Sequence, residues 1–189
     1  MGYRELARVM VAHRVPLIQL RLKERPREEL RALAAELRPL VTPPSRFIVN
    51  DDPEIAREVG ADGVHLGQED MPYPEARRIL GEGALIGLST HNPEQTRRAC
   101  ALGPDYIGIG PVFATPTKRI PDPVLGLERM AEMLALATVP AVCIGGIDLV
   151  NLPRVLAAGA RNVCAVRPVT RAPYPGKVLA EFMRLTANR

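Results

Sequence analysis

Seven short apolar runs, each followed by an amphipathic stretch, constrain this chain more than any other feature. The runs cover 17–21, 46–50, 63–66, 84–87, 105–109, 141–144 and 162–166. The stretches between them, 27–40, 53–59, 74–80, 93–102, 127–136 and 148–158, are amphipathic, and a last one covers 177–186. Strands separated by helices lie parallel, and a parallel sheet is covered on both faces. Runs such as Phe47-Ile48-Val49 lack the polar alternation of a half-exposed strand, in keeping with that arrangement. An eight-stranded barrel and an open doubly wound sheet both satisfy the pattern. The dinucleotide fingerprint G-x-G-x-x-G is missing from every strand-to-helix turn. Gly108-Ile109-Gly110 begins like it, but Pro111 and a long loop follow. A helix-like segment, 3–12, precedes the first run, so the count falls one strand short of a full barrel.

Boundary signals agree with this division. Asn92-Pro93-Glu94-Gln95 and Asp52-Pro53-Glu54 are helix starts with a capping side chain before a proline. Gly60, Gly81, Gly103 and Gly159 stand where helices should end. No linker or low-complexity segment interrupts the 189 residues, so one domain over 1–189 is expected.

Composition excludes several classes of function. No apolar run reaches the roughly 18 residues that cross a bilayer, and no signal-peptide pattern opens the chain. A cytoplasmic protein without a membrane partner is expected. The net charge of +4 comes from arginines scattered over helices, several with a Glu at helical spacing, as with Glu94 and Arg98. Aromatic residues make up 4% and Trp is absent, so base-stacking platforms are scarce and no nucleic-acid partner is expected. Cys100, Cys143 and Cys164 have no metal-like spacing.

The strand ends carry the chemistry. Alternation puts Gln19, Arg21 and Lys23 on one face, where two cations without partners would be costly unless an anionic ligand met them. Asp51 stands beyond the next strand without the capping duty of Asp52, and Asp70 lies one unit further on. Two such carboxylates beside a phosphate make a Mg²⁺ site plausible. Ser89 follows the fourth run. The loop Thr115-Pro116-Thr117-Lys118 offers two hydroxyls and an ammonium, and Lys118 is one of only three lysines among 25 basic residues. Gly146, after the sixth run, and Val166-Arg167, at the end of the seventh, stand where (β/α)₈ barrels bind phosphate. Two anion sites are therefore expected, one around Lys23, Asp51 and Asp70, the other around Gly146 and Val166.

The segments QLRLKE, FIVNDDPEIAREVGADGVHLGQED, IGLSTH, DYIGIGPVFATPTK and PAVCIGGI together resemble thiamine-phosphate synthase, also called thiamine-phosphate pyrophosphorylase. Its superfamily is shared with the TenI-type thiazole tautomerase, whose branch has histidine where Pro111 stands here. The resemblance implies an α/β fold, a TIM (β/α)₈-type barrel lacking its first β-strand in this sequence. It implies a transferase that joins a pyrimidine diphosphate to a thiazole phosphate, giving thiamine phosphate and pyrophosphate. Gln19, Arg21, Lys23, Asn50, Ser89 and Lys118 then bind the pyrimidine diphosphate. Thr115, Pro116, Thr117, Gly146, Val166 and Arg167 bind the thiazole phosphate, and Asp51 and Asp70 hold Mg²⁺. The partners implied are small phosphorylated substrates, no covalent nucleophile is needed, and homo-oligomer formation is left open. The chain departs from the family at Arg167, where serine is usual, at Pro168, and in lacking an initial strand. A non-catalytic or regulatory barrel binding thiamine-pathway phosphates, or a tautomerase-like enzyme, are the rival readings.

Overall fold

The computed structural model describes residues 1–115 and 122–187. Two compact units divide the chain, Met1–Ile86 and Gly87 onward. The first carries α1 (Tyr3–Ala12), β1 (Leu17–Leu20), α2 (Arg27–Leu37), β2 (Arg46–Asn50), α3 (Pro53–Glu58), β3 (Gly63–Leu66) and α4 (Tyr73–Leu80). It also contains the first residues of β4 (Leu85–Thr90). The second continues with α5 (Pro93–Leu102), β5 (Tyr106–Ile109), α6 (Gly126–Leu136), β6 (Ala141–Ile144), α7 (Leu152–Ala157), β7 (Asn162–Cys164), α8 (Arg167–Thr170) and α9 (Pro175–Ala187). The seven strands follow one another in chain order in a single sheet, and the described pairings are parallel.

In the first unit β2 is the centre of the packing. Phe47, Ile48 and Val49 are all fully buried, so successive side chains are covered on both faces of the sheet. Register is set at the strand starts: Leu17 pairs with Arg46, and Ile48 with Gly63. Asp62 helps hold it, its carboxylate accepting from the Phe47 N–H at 2.7 Å and from Arg46 Nη1 at 3.2 Å. A Cβ on Gly63 would stand 1.9 Å from the Leu85 carbonyl oxygen, so the close approach at the start of β3 requires glycine. The Asp52 side chain caps α3 by accepting from the Ile55 N–H at 2.9 Å, and Pro53 occupies the first turn.

In the second unit, Ile107 and Ile109 of β5 and Cys143 of β6 are fully buried, as are Met130, Met133 and Leu152 of the helices. Asn92 caps α5 on the Gln95 N–H, and Gly103 ends that helix in the left-handed region. Three boundaries differ from the sequence reading. β4 extends beyond Gly87 to Thr90, because the buried Thr90 hydroxyl bonds the Gly108 carbonyl at 3.0 Å and spares the strand an unpaired polar group. Asp148 does not begin α7. Its carboxylate accepts from the N–H groups of Val150 and Asn151, forming a turn that delays the helix to Leu152. β7 stops at Cys164, and Arg167–Thr170 form one helical turn with Pro168 near its start, a position where proline is tolerated.

Candidate active site

Beyond the ends of β1, β2 and β3 the first unit gathers one ammonium and two carboxylates. β1 ends at Leu20, so Arg21 and Lys23 lie on the loop that follows rather than on a continuing strand face. Gln19 is an exposed residue within β1, between buried Ile18 and Leu20. The Lys23 ammonium is ion-paired with the Asp51 carboxylate. Asn50, the last residue of β2, is buried. Asp51 then turns into the left-handed region at φ 69°, an uncommon state for a residue with a side chain. Its N–H donates to the His65 carbonyl at 2.8 Å, so the turn is braced by β3.

Asp70 reaches the same place from the other side. Its Oδ2 accepts from the Gly67 N–H at 2.6 Å, closing a tight turn after β3. The Asp70 carboxyl also lies within hydrogen-bonding reach of Asp51. Burial and this neighbouring acid hold the Asp51 carboxyl above the usual carboxylate range, and Lys23 offsets them only in part. Asp52 next door behaves oppositely. Burial pushes it up, but the bond from Arg27 at 2.6 Å and the Ile55 N–H bring its carboxyl below the ordinary value. The two adjacent aspartates thus divide roles: Asp52 is satisfied by its helix and Arg27, while Asp51 shares an excess of negative charge with Asp70. Among the described residues no group of three or more His, Cys, Asp or Glu side chains has metal-binding geometry.

The second unit holds the remaining candidates. Ser89 lies inside β4, half-buried and opposite Gly108 of β5. Thr115 is half-buried at the end of the described stretch after β5, while Pro116, Thr117 and Lys118 lie outside the described residues. Gly146 follows β6 at φ 64°, and its missing Cβ has a packing reason: a methyl there would stand 2.7 Å from Phe113 Cβ and 2.8 Å from the Ala114 oxygen. The structure therefore brings Gly146 against the residues leading to Thr115. Ile144 pairs with Cys164, which sets Gly146 and Val166 each two residues beyond one rung of the sheet. Val166 is exposed, whereas Arg167 is half-buried with a fully buried Nε that has no hydrogen-bond partner among the described residues. Burial pushes the Cys143 thiol up to about 12 and the Cys164 thiol up to about 11, so neither is a thiolate nucleophile near neutral pH.

A family model described as thiamine monophosphate synthase matches residues 3–169. The chain belongs to that family. The thiamine-phosphate synthase of Gloeobacter violaceus is 44% identical over 180 residues, 95% of this chain and 52% of that protein. That of Caldicellulosiruptor bescii is 43% identical over 182 residues, 96% of this chain and 83% of its own length. This chain therefore spans about half the length of the first relative and most of the second. Among solved structures, the thiamine phosphate pyrophosphorylase of Pyrococcus furiosus is similar at a TM-score of 0.89 with 31% identity. The match covers 99% of this chain and 90% of that one.

Sequence reasoning gave His91 no role, yet its Nδ1 lies 2.5 Å from the Gly110 carbonyl oxygen and its Nε2 3.6 Å from Asp122 Oδ2. The local signal was a polar residue directly after an apolar run. That is too common to single it out without coordinates.

Proposed function

We propose that this chain is a thiamine-phosphate synthase, a cytoplasmic transferase of the (β/α)₈-barrel type read as one domain. It joins a hydroxymethylpyrimidine diphosphate to a thiazole phosphate and releases pyrophosphate. The observation that carries the reading is the cluster of Lys23, Asp51 and Asp70 beyond three successive parallel strands. Two carboxylates held together at the cost of a raised pKa on one of them suit a divalent cation, and two protein ligands leave room for diphosphate oxygens and water. Mg²⁺ would be held by Asp51 and Asp70 and, when bound, would stabilise negative charge on the diphosphate.

The chain's own groups then have distinct tasks. Arg21 and Lys23 bind the diphosphate and stabilise the charge that grows on it as the carbon–oxygen bond breaks. The amides of Gln19 and Asn50 orient the pyrimidine, and Ser89 and Lys118 donate to diphosphate oxygens. Thr115, Pro116, Thr117, Gly146, Val166 and Arg167 hold the thiazole phosphate so that its ring nitrogen faces the carbon being released. Positive charge is carried by the electron-rich pyrimidine until the new carbon–nitrogen bond forms. No enzyme nucleophile takes part. The buried Arg167 Nε, without a hydrogen-bond partner among the described residues, supports a charge-assisted contact to the thiazole phosphate in place of the family's serine.

Pure protein incubated with both substrates and Mg²⁺ is expected to release pyrophosphate and thiamine phosphate in equal amounts. Binding of the product without any turnover would overturn this reading in favour of a non-catalytic barrel.

A further inference from the structure

Arg27, the first residue of α2, grips the turn that carries Asp51 through its neighbour Asp52. Its Nε donates to Asp52 Oδ2 at 2.6 Å and its Nη2 to Oδ1 at 3.0 Å, a two-pronged contact suited to a planar guanidinium. The same Nη2 donates to Glu54 Oε2 at 2.7 Å. Asp52 Oδ1 also accepts from the Ile55 N–H at 2.9 Å. Both carboxylate oxygens of Asp52 are therefore engaged by α2 and α3, one residue from Asp51. An arginine does not lose its proton in a protein, so the grip holds at any pH that leaves Asp52 ionised.

Asp51 needs such a grip. The Asp52 N–H donates back to the Asn50 carbonyl at 3.0 Å, so residues 50–52 form a three-residue turn with Asp51 at its apex and φ at 69°. A positive φ at the apex makes this the rare, strained form of the γ-turn. Strained backbone lasts only where its surroundings over-determine it. On the strand side the restraints are the buried Asn50 and the bond from the Asp51 N–H to the His65 carbonyl at 2.8 Å. On the helix side the restraint is Asp52, tied to the start of α3 and to Arg27. Arg31, one turn along α2, also reaches α3, but at its far end: its Nε stands 3.0 Å from Glu58 Oε2, and its Nη1 2.8 Å from Glu28 Oε2 within α2. Two arginines thus dock α2 on α3, and among the described contacts Arg27 is the one bonded beside Asp51.

We propose that Arg27 is a positioning residue for the cation site at Asp51 and Asp70. By fixing Asp52 against the starts of α2 and α3 it holds the strained turn in the form that brings the Asp51 carboxylate to Asp70. It also keeps Asp52 from turning to the cation as a third carboxylate ligand. The consequence for the cation rests on the synthase reading, whereas the grip on the turn does not. Charge and position predict opposite signs. Removing a guanidinium near a cation site would tighten the cation by Coulomb attraction alone, and freeing Asp52 as a ligand would tighten it further. Losing a group that orients a ligand weakens it.

Calorimetry of Mg²⁺ in the presence of saturating pyrophosphate tests this. Arg27→Gln is expected to weaken Mg²⁺ about ten-fold, the lower end for losing a group that orients a metal ligand. Arg27→Lys keeps the charge but not the fork, should weaken it in the same direction, and decides alone should Arg27→Gln fail to fold by circular dichroism. Asp52→Asn retains a capping oxygen for α3 and should lose a similar factor. Adding Arg27→Gln to Asp52→Asn should change the affinity less than about two-fold, because Arg27 acts through Asp52. Arg31→Gln removes the other link between the two helices and should bind Mg²⁺ as native protein does. In metal-free protein, amide exchange at Asp52 and Ile55, followed by NMR, should quicken about five-fold in Arg27→Gln, the upper end for an exposed ion pair, and not in Arg31→Gln. Unchanged or tighter Mg²⁺ binding in Arg27→Gln, or an equal loss in Arg31→Gln, would overturn the proposal. Should native protein take up no Mg²⁺, the metal site of the synthase reading fails, and the exchange rates judge the grip by themselves: no quickening in Arg27→Gln overturns it.

Discussion

Asp51→Asn is expected to make the metal-free protein more stable and the enzyme nearly inactive. Asp51 attracts Lys23 and repels Asp70, and at ~4 Å in an effective dielectric of ~20 each interaction is about 4 kcal/mol, with opposite signs. The attraction is the weaker of the two in practice, because the Lys23 side chain is 47% exposed against 26% for Asp51, and water screens it. Burial adds a further cost to the Asp51 charge. Asparagine removes the charge, keeps the shape and tolerates the left-handed backbone at φ 69° at least as well. A net gain of about 1 kcal/mol follows, or roughly 2–4 °C in Tm for a chain of this size. The pH dependence has a definite sign. The folded-state pKa lies above the unfolded value of 3.8, so native protein binds more protons when folded and loses stability as pH rises from that value through the raised folded pKa. The advantage of the variant should thus vanish in acid and be complete above that window. Thermal melts across pH without metal measure it. Saturating Mg²⁺ with pyrophosphate should then reverse the order, since a ligand at 100 times its Kd adds about 2.7 kcal/mol to the protein that binds it. A variant less stable than native protein at neutral pH without metal, or one that gains as much from Mg²⁺ as native protein, would refute the reasoning.

Gly146→Ala should destabilise the fold by about 1–3 kcal/mol in urea denaturation, because its methyl would meet Phe113 and Ala114 and the backbone would stay at positive φ. Arg167→Ser should raise KM for the thiazole phosphate about ten-fold, the lower end for losing a hydrogen bond to a charged group, with little change for the pyrimidine diphosphate. An unchanged KM would show that the buried Nε of Arg167 serves no ligand. Ile107→Ala should cost about 2–5 kcal/mol, since the side chain is fully buried in β5.

What could be read from the sequence and what could not follow a physical division. Phe47-Ile48-Val49 betrayed a strand covered on both faces because burial on both sides leaves no polar position. Asp52 and Asn92 announced helix starts because a cap acts within three residues. Lys23, Asp51 and Asp70 were legible as a group because parallel strands put their trailing loops on one end of a sheet, and the first unit does bring them together. The misses have different causes. β1 stops at Leu20, so alternation through Lys23 was extrapolated too far. β4 runs on to Thr90 because of a carbonyl 18 residues away, and Asp148 prefers a turn with Asn151 to the helix start assigned to it.

Gly145 and Gly146 show how one residue pattern can carry two causes. Glycines after the sixth strand pointed to phosphate, which a bare backbone can approach closely. In the structure their absent side chains already have a sufficient reason, since a Cβ on Gly145 would stand 2.5 Å from Pro111 and one on Gly146 would strike Phe113. The pair is therefore required by packing whether or not a phosphate binds there, and it cannot count as independent support for the second anion site. That support falls to Arg167, whose buried Nε has no hydrogen-bond partner among the described residues. The two sites thus stand on different footings. The first rests on an excess of carboxylate charge that a cation would relieve, and the second on a single guanidinium nitrogen that an anion would satisfy.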